Sequence, residues 1–224
     1  MENTMYATQS NKLEKLEHKI LDFFSHIDMM VVKLKTGIKE RNTSLLVDLI
    51  EKDEKKANKT ELRIDQYALI FIAKYEPKAR SLRSAITSIK INNTLERIAD
   101  HSVNISRHTI ELINSSFVNY FNDNLIYMLD VTHQMLIDTK AAIENDDIDL
   151  AQSIQKRDLE VNKLRDVILQ NCILEISKNG QLIKDLDHLI AMSRNIERIA
   201  DLTTNICEDL IYKIDGKITK HHKN

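Results

Sequence analysis

One proline and three glycines are all the strong chain breakers in 224 residues: Pro77, Gly37, Gly180 and Gly216. So few breakers leave room for only a few connections, and the chain between them must run as long helices rather than many short strands. The apolar positions agree. Leu13, Leu16, Ile20, Phe23, Ile27, Met30 and Leu34 are separated alternately by three and four residues. That is the seam of helices packed at a shallow angle in a left-handed bundle. Tryptophan is absent and aromatic residues make up 5%, which suits a core of Leu, Ile, Val and Ala. A hydrophobic content of 42% is enough to bury such a core, and a charged content of 29% solvates its surface.

Cap and turn residues divide the chain into six helices. The first is expected to end near Gly37 to Arg41, where Asn42-Thr43-Ser44 supplies N-cap candidates for the second. The second should run to about Tyr75, and Pro77 then suits the first turn of the third, which continues to about Ile113. Asn114-Ser115-Ser116 separates the halves. The fourth helix spans roughly Tyr120 to Ile143, with Asn145-Asp146-Asp147 as turn and cap. The fifth runs from Ile148 to Lys178, closed by Asn179-Gly180 in a helix C-cap pattern, and the sixth from Gln181 to Ile214, before Gly216. The fold class is therefore all-α, a tandem repeat of two three-helix antiparallel bundles covering residues 1–114 and 115–224.

The halves share more than a plan. Glu96-Arg97-Ile98-Ala99-Asp100 and Glu197-Arg198-Ile199-Ala200-Asp201 are identical, and Asn104-Ile105 matches Asn205-Ile206 in the same register. Upstream, Glu54, Asn58, Ile64 and Ile72 align with Asp158, Asn162, Ile168 and Ile176. Two unrelated amphipathic helices would share scattered Leu and Ile, not a charged pentapeptide with the same Asn-Ile after it. The chain is a duplication.

On a helix, residues four apart lie on one face, about 6 Å apart in rise. Glu96, Asp100 and Asn104 form one oxygen-bearing row, and Glu197, Asp201 and Asn205 its twin. Each row flanks an apolar stripe: Leu95, Ile98, Ser102 and Ile105, then Ile196, Ile199, Thr203 and Ile206. Carboxylates so spaced repel unless a cation neutralises them. Glu54 or Asp158 from the neighbouring helix would add a further oxygen, with Asn58 or Asn162 beside it. The competing reading is a solvated face paired with Arg97 and Arg198, and chemistry alone leaves both open.

Other functions find less support. Formal net charge is −2 with both signs interleaved, which argues against a nucleic-acid binder relying on a basic face. The lysine-rich stretches 33–41 and 217–223 read as solvated surface. Residues 1–15 are polar and unlike a signal peptide, and the longest apolar run, Tyr67 to Ala73, is too short to span a bilayer, so a cytoplasmic protein is expected. Cys172 and Cys207 should be reduced core thiols. His101 has Leu202 as its twin, so it stands outside the repeated row, and Asp185 to His188 occurs only once. No Glu-x-x-His, Walker-type loop, Gly-x-Ser-x-Gly or His-Glu-x-x-His is present, and no enzymatic chemistry is expected.

The stretch from Leu95 to Ile105, and that from Arg194 to Asp201 continuing through Asn205-Ile206-Cys207-Glu208 to Asp215-Gly216, resembles the signature of the PhoU family over nearly the whole chain. The resemblance implies a cytoplasmic, non-catalytic regulator of phosphate uptake, built as two three-helix bundles related by pseudo-twofold symmetry and commonly a homodimer. Its implied partners are the ATPase subunit of a phosphate-import ABC transporter and a phosphate-sensing histidine kinase. It would reach the membrane only through them, bind no nucleic acid, and repress the phosphate-starvation response. The rows would be metal sites for divalent or ferric ions such as iron, zinc or magnesium. Their ligands would be Glu54, Glu96, Asp100 and Asn104, then Asp158, Glu197, Asp201, Asn205 and Glu208.

Three departures from the family pattern stand out. Ala99 and Ala200 replace the more usual glycine, a helix-favouring change, and Glu54 replaces the more usual aspartate. Arg107 stands where the second half has Glu208, which makes the second row the more acidic and the expected stronger metal site. Alternatives are a PhoU-like regulator of a secondary phosphate permease, and a carboxylate-bridged metalloenzyme, for which the absence of Glu-x-x-His is a handicap.

Overall fold

A computed structural model describes residues 2–115 and 123–216, and among them there is no strand. Its helices are α1 (Glu2–Lys39), α2 (Thr43–Asp48), α3 (Glu54–Tyr75), α4 (Ala79–Asn114), α5 (Asp123–Asn145), α6 (Ile148–Lys178) and α7 (Ile183–Asp215). A π-helical segment, Leu49–Asp53, joins α2 to α3, so those pieces form one rod and the described residues make six. The α1 seam points inward as its spacing requires: Leu16, Ile20, Phe23, Ile27, Met30 and Leu34 are all buried. Ser116, the expected fourth-helix start at Tyr120 and the 217–223 stretch lie outside the described residues.

Caps stop the rods where expected in three places. The Asn42 side chain accepts from Leu45 N at 3.2 Å, and that of Asp147 from Leu150 N at 2.9 Å. Gly216 adopts a left-handed φ of 69° and closes α7.

The second rod reaches Tyr75 as expected, with the extra residue of a π turn at Leu49–Asp53, where the His26 ring bonds the carbonyl of Asp53 at 3.1 Å. Two local expectations need correction. Pro77 lies in a link rather than in a first turn, because Glu76 at φ 44° has already ended α3 and α4 starts at Ala79. Gly180 is no left-handed cap; it opens a 3₁₀ turn, Gly180–Leu182, while the Asn179 side chain accepts from Gln181 N at 3.1 Å. α1 ends at Lys39, within the expected Gly37 to Arg41, and Gly37 lies in its last turn, where an added Cβ would stand 2.5 Å from Leu46 Cδ2.

The two halves join along equivalent helices. The third rod of one half, α4, makes its most extensive contact with the third of the other, α7, and the first rods, α1 and α5, also touch. Between α1 and α5, Lys35 Nζ donates to His133 Nδ1 at 3.1 Å and pairs with Asp130 at 2.6 Å. The ring proton must then sit on Nε2, which donates to Asp28 Oδ1 at 2.7 Å. Between α4 and α7, Lys90 pairs with the buried Asp209 at 3.1 Å. Cys172 and Cys207 are free and buried, and burial pushes the Cys207 thiol up to about 11.

Candidate functional site

The repeated pentapeptides lie on α4 and α7 with their apolar members inward. Leu95, Ile98, Ser102 and Ile105 are each 0% exposed, and Ile196, Ile199, Thr203 and Ile206 are buried likewise. That burial turns the acids outward along the groove each closing helix makes with the middle rod of its own half. Glu96, Glu197, Asp201, Asn104 and Glu208 are half-buried, and Asp100 and Asn205 are exposed.

In the first half the groove gathers acid from both walls. Asn92 Nδ2 of α4 donates to Glu61 O at 3.0 Å and to Asp65 Oδ1 at 2.8 Å, which seats α3 against α4. Glu61 then faces Glu96 and Asp100, with Glu54 further off. The Glu96 carboxyl rises from its ordinary value to about 7, first through burial, then through the charges of Asp100 and Glu61, with Arg97 opposing. Glu61 is raised by burial, Asp65 and Asp100 against an Asn93 hydrogen bond. Asn104 Oδ1 accepts from Arg107 at 3.3 Å.

The second half answers its acids with a base. Arg165 Nη1 of α6 donates to Glu197 Oε1 at 2.6 Å, and its Nε and Nη2 donate to Asp166 Oδ1 at 3.1 and 2.7 Å. Asp201 takes Arg198 Nη1 at 3.3 Å, one turn earlier on its own helix. Asp158 Oδ2 accepts from Asn162 Nδ2 at 2.9 Å.

Sequence reasoning named the rows but missed Glu61, Asp65 and Arg165, whose charges decide how the rows behave. The signal was present. In the register that pairs Glu54 with Asp158 and Ile64 with Ile168, Glu61 pairs with Arg165. Read along α7 alone, Glu208 makes the second row the more acidic; across the groove, Glu61 adds negative charge beside Glu96, while Arg165 places a base on Glu197.

Among the described residues, no three His, Cys, Asp or Glu side chains are close enough together to hold a metal ion. The donor chemistry of the two rows nevertheless differs. The first offers hard carboxylate oxygens and, among the described residues, no ion pair to Glu96, the donor type that oxygen-bound cations take, but no three of these donors converge. In the second, the oxygen of Glu197 that a cation would need is already held by Arg165, which does not fit.

A duplicated three-helix bundle with an acidic row on each closing helix defines an all-helical protein assembled from two copies of one module. The PhoU domain model matches it twice, over residues 20–109 and 125–210, and the chain belongs to the PhoU family. A phosphate-specific transport system accessory protein PhoU from Serratia marcescens is 28% identical over 213 residues, covering 94% of this chain and 86% of that protein. A PhoU homolog of the same description from Clostridium acetobutylicum is 27% identical, covering 92% of this chain and 93% of its own. The crystal structure of the phosphate transport system regulatory protein PhoU from Streptococcus pneumoniae superposes with a TM-score of 0.86. It has 21% identity and covers 94% of this chain and 98% of that one. The crystal structure of PhoU from Pseudomonas aeruginosa gives 0.84 at 22% identity, covering 93% and 99%. At those identities the structural likeness speaks for the fold.

Proposed function

We propose that this chain is a regulatory accessory protein of phosphate-specific transport, acting in the cytoplasm by protein contact rather than catalysis. The observation that carries the reading is the double PhoU match, spread over both halves, together with relatives named as transport accessory proteins. Its partners are the ATPase subunit of a phosphate-import ABC transporter and a phosphate-sensing histidine kinase, and it works as a homodimer. No described helix is long and apolar enough to cross a membrane, in keeping with a protein that reaches the bilayer through its partners.

Two features of the surface support action by contact. Leu69 and Ile70 on α3 are 61% and 55% exposed, and their equivalents on α6, Ile173 and Leu174, are 55% and 56% exposed. Apolar pairs kept at the same place in both repeats suit docking better than solvation. The acidic rows are the metal-responsive part, binding a divalent or ferric ion through carboxylates, Glu96 and Asp100 foremost. Bound there, the ion would supply charge neutralisation.

The test is genetic. Deleting the gene from phosphate-replete cells should raise phosphate uptake and starvation-gene expression, and re-expression should restore both. Unchanged uptake and expression in the deletion strain would refute the reading.

A further inference from the structure

A cleft of about 200 Å³ opens where four helices meet, α1 and α4 of the first repeat and α5 and α7 of the second. Its inner wall is apolar, with Ile20, Ile91 and Leu210 all buried. Four carboxylates line it as well: Glu14 and Glu17 of α1, Glu144 at the end of α5, and Asp146 just past it. Lys213 is the one lysine in the lining, and Glu17 at 3.0 Å and Asp146 at 3.1 Å already share it. Arg80 stands 3.8 Å from Asp146 and Lys140 3.6 Å from Glu144, while Glu14 meets the His18 ring at 3.9 Å. Acids therefore outnumber the lysine and arginine side chains that reach them. Thr87 of α4 also lines the cleft; it is 1% exposed, and its Oγ1 has no hydrogen-bond partner among the described residues. Further along the same helix Thr94, Ser102, Ser106 and Thr109 each donate to the carbonyl four residues back. A buried hydroxyl left out of that pattern is costly unless a group in the cleft completes it.

We propose that this cleft binds an aliphatic di- or polyamine. A primary ammonium has N–H groups to donate and no acceptor, which suits carboxylates and the oxygen of Thr87. Its methylene stem would lie on Ile20, Ile91 and Leu210, as a lysine stem covers apolar surface while its charged head stays wet. A bare metal ion fits less well. It needs several donors at once, and among the described residues no three His, Cys, Asp or Glu side chains converge, whereas each ammonium needs only one carboxylate in reach. An anion would meet the field of the acids. More than one ammonium is favoured because the acids come from both repeats, Glu14 on α1 and Glu144 on α5. A ligand that reaches both braces one repeat against the other. None of these residues belongs to the acidic rows of α4 and α7.

The full-length chain, with chelator present, is titrated with putrescine and with spermidine in low salt by isothermal titration calorimetry. One amine per chain is expected, with spermidine the tighter. Glu14→Gln/Glu144→Gln should weaken spermidine by about tenfold, the loss of two partly exposed ion pairs. Thr87→Val keeps the shape and removes the hydroxyl; it should weaken binding by about threefold without lowering the melting temperature. Glu40→Gln/Glu51→Gln removes two exposed acids elsewhere and should leave affinity within about twofold. Mg²⁺ at matched ionic strength should not displace the amine. Absence of binding, equal losses in the two double variants, or full displacement by Mg²⁺ overturns the site and leaves at most diffuse attraction to an acidic surface. Binding that survives both Glu14→Gln/Glu144→Gln and Thr87→Val overturns it as well.

Discussion

His108 Nδ1 and His188 Nδ1 face each other at 2.9 Å across the α4–α7 seam that joins the two repeats. Only one of those nitrogens can carry a proton in such a contact. Burial, then the neighbouring His188 ring, lowers the His108 pKa below 6.5, with Asp187 and Glu111 pulling the other way. The folded chain thus binds fewer protons here than the unfolded one just below pH 6.5. This contribution is intact above the unfolded pKa and is lost as pH falls through the depressed folded value. Between pH 7.5 and 5.5 this pair pulls the urea midpoint down, so over that range the midpoint of His108→Asn should fall less, or rise more, than that of the wild type. An identical pH slope in the variant would show that the pair does not set it.

Glu96 shifts in the opposite sense. Its folded pKa of about 7 exceeds its ordinary 4.5, so the folded chain binds the extra proton between those values. The stability it lends is complete below 4.5 and gone above about 7. In chelator-treated protein, Glu96→Gln should raise stability at pH 8 by on the order of 1 kcal/mol after allowance for solvent screening at a half-buried site. Near pH 4.5 the advantage should disappear. Glu61→Arg, which installs the base found at Arg165, should also stabilise the metal-free chain at pH 8. Denaturant melts at the two pH values decide both.

At Gly37 space outweighs helix propensity. Alanine would favour the helix by about 1 kcal/mol, but its Cβ would fall 2.5 Å from Leu46 Cδ2 in a fully buried contact between α1 and α2. Gly37→Ala should destabilise by about 1–3 kcal/mol through overpacking. In a Leu46→Ala background the same change should be neutral or stabilising. An additive double-mutant cycle would place the cost elsewhere.

Lys213 ties α7 to two other rods, pairing with Glu17 near the middle of α1 at 3.0 Å and with Asp146, just past α5, at 3.1 Å. Burial works against its charge, yet those two carboxylates keep its pKa above the ordinary value. Lys213→Met should cost about 2–4 kcal/mol, because it takes the shared cation from Glu17 and Asp146 and leaves only Arg80, 3.8 Å from Asp146, to offset their charge. Adding Glu17→Gln to that variant should recover part of the loss in a thermal melt.

Helix content, the number of rods and the duplication were legible because each is written locally. The 3–4 spacing in α1 is the same before and after folding, and Asn42, Asp147 and Gly216 act on backbone groups within four residues of themselves. The π segment at Leu49–Asp53 escaped because it follows from fitting α2 and α3 against α1, with His26 supplying a partner for Asp53 O, and not from any breaker in the chain.

The candidate site divides along the same line. Glu96, Asp100 and their twins could be named from periodicity, since their common face belongs to a single helix. Whether each row stays acidic depends on which side chain the next rod presents. Packing decides that, by setting the rotation and register of α3 on α4 and of α6 on α7. Sequence alone made the rows equal apart from Arg107 and Glu208. The fold distinguished them by bringing Glu61 to Glu96 and Arg165 to Glu197, and by closing His108 onto His188 across 80 residues of chain. Charge acts through space, and only the packed bundle decides which charges are neighbours.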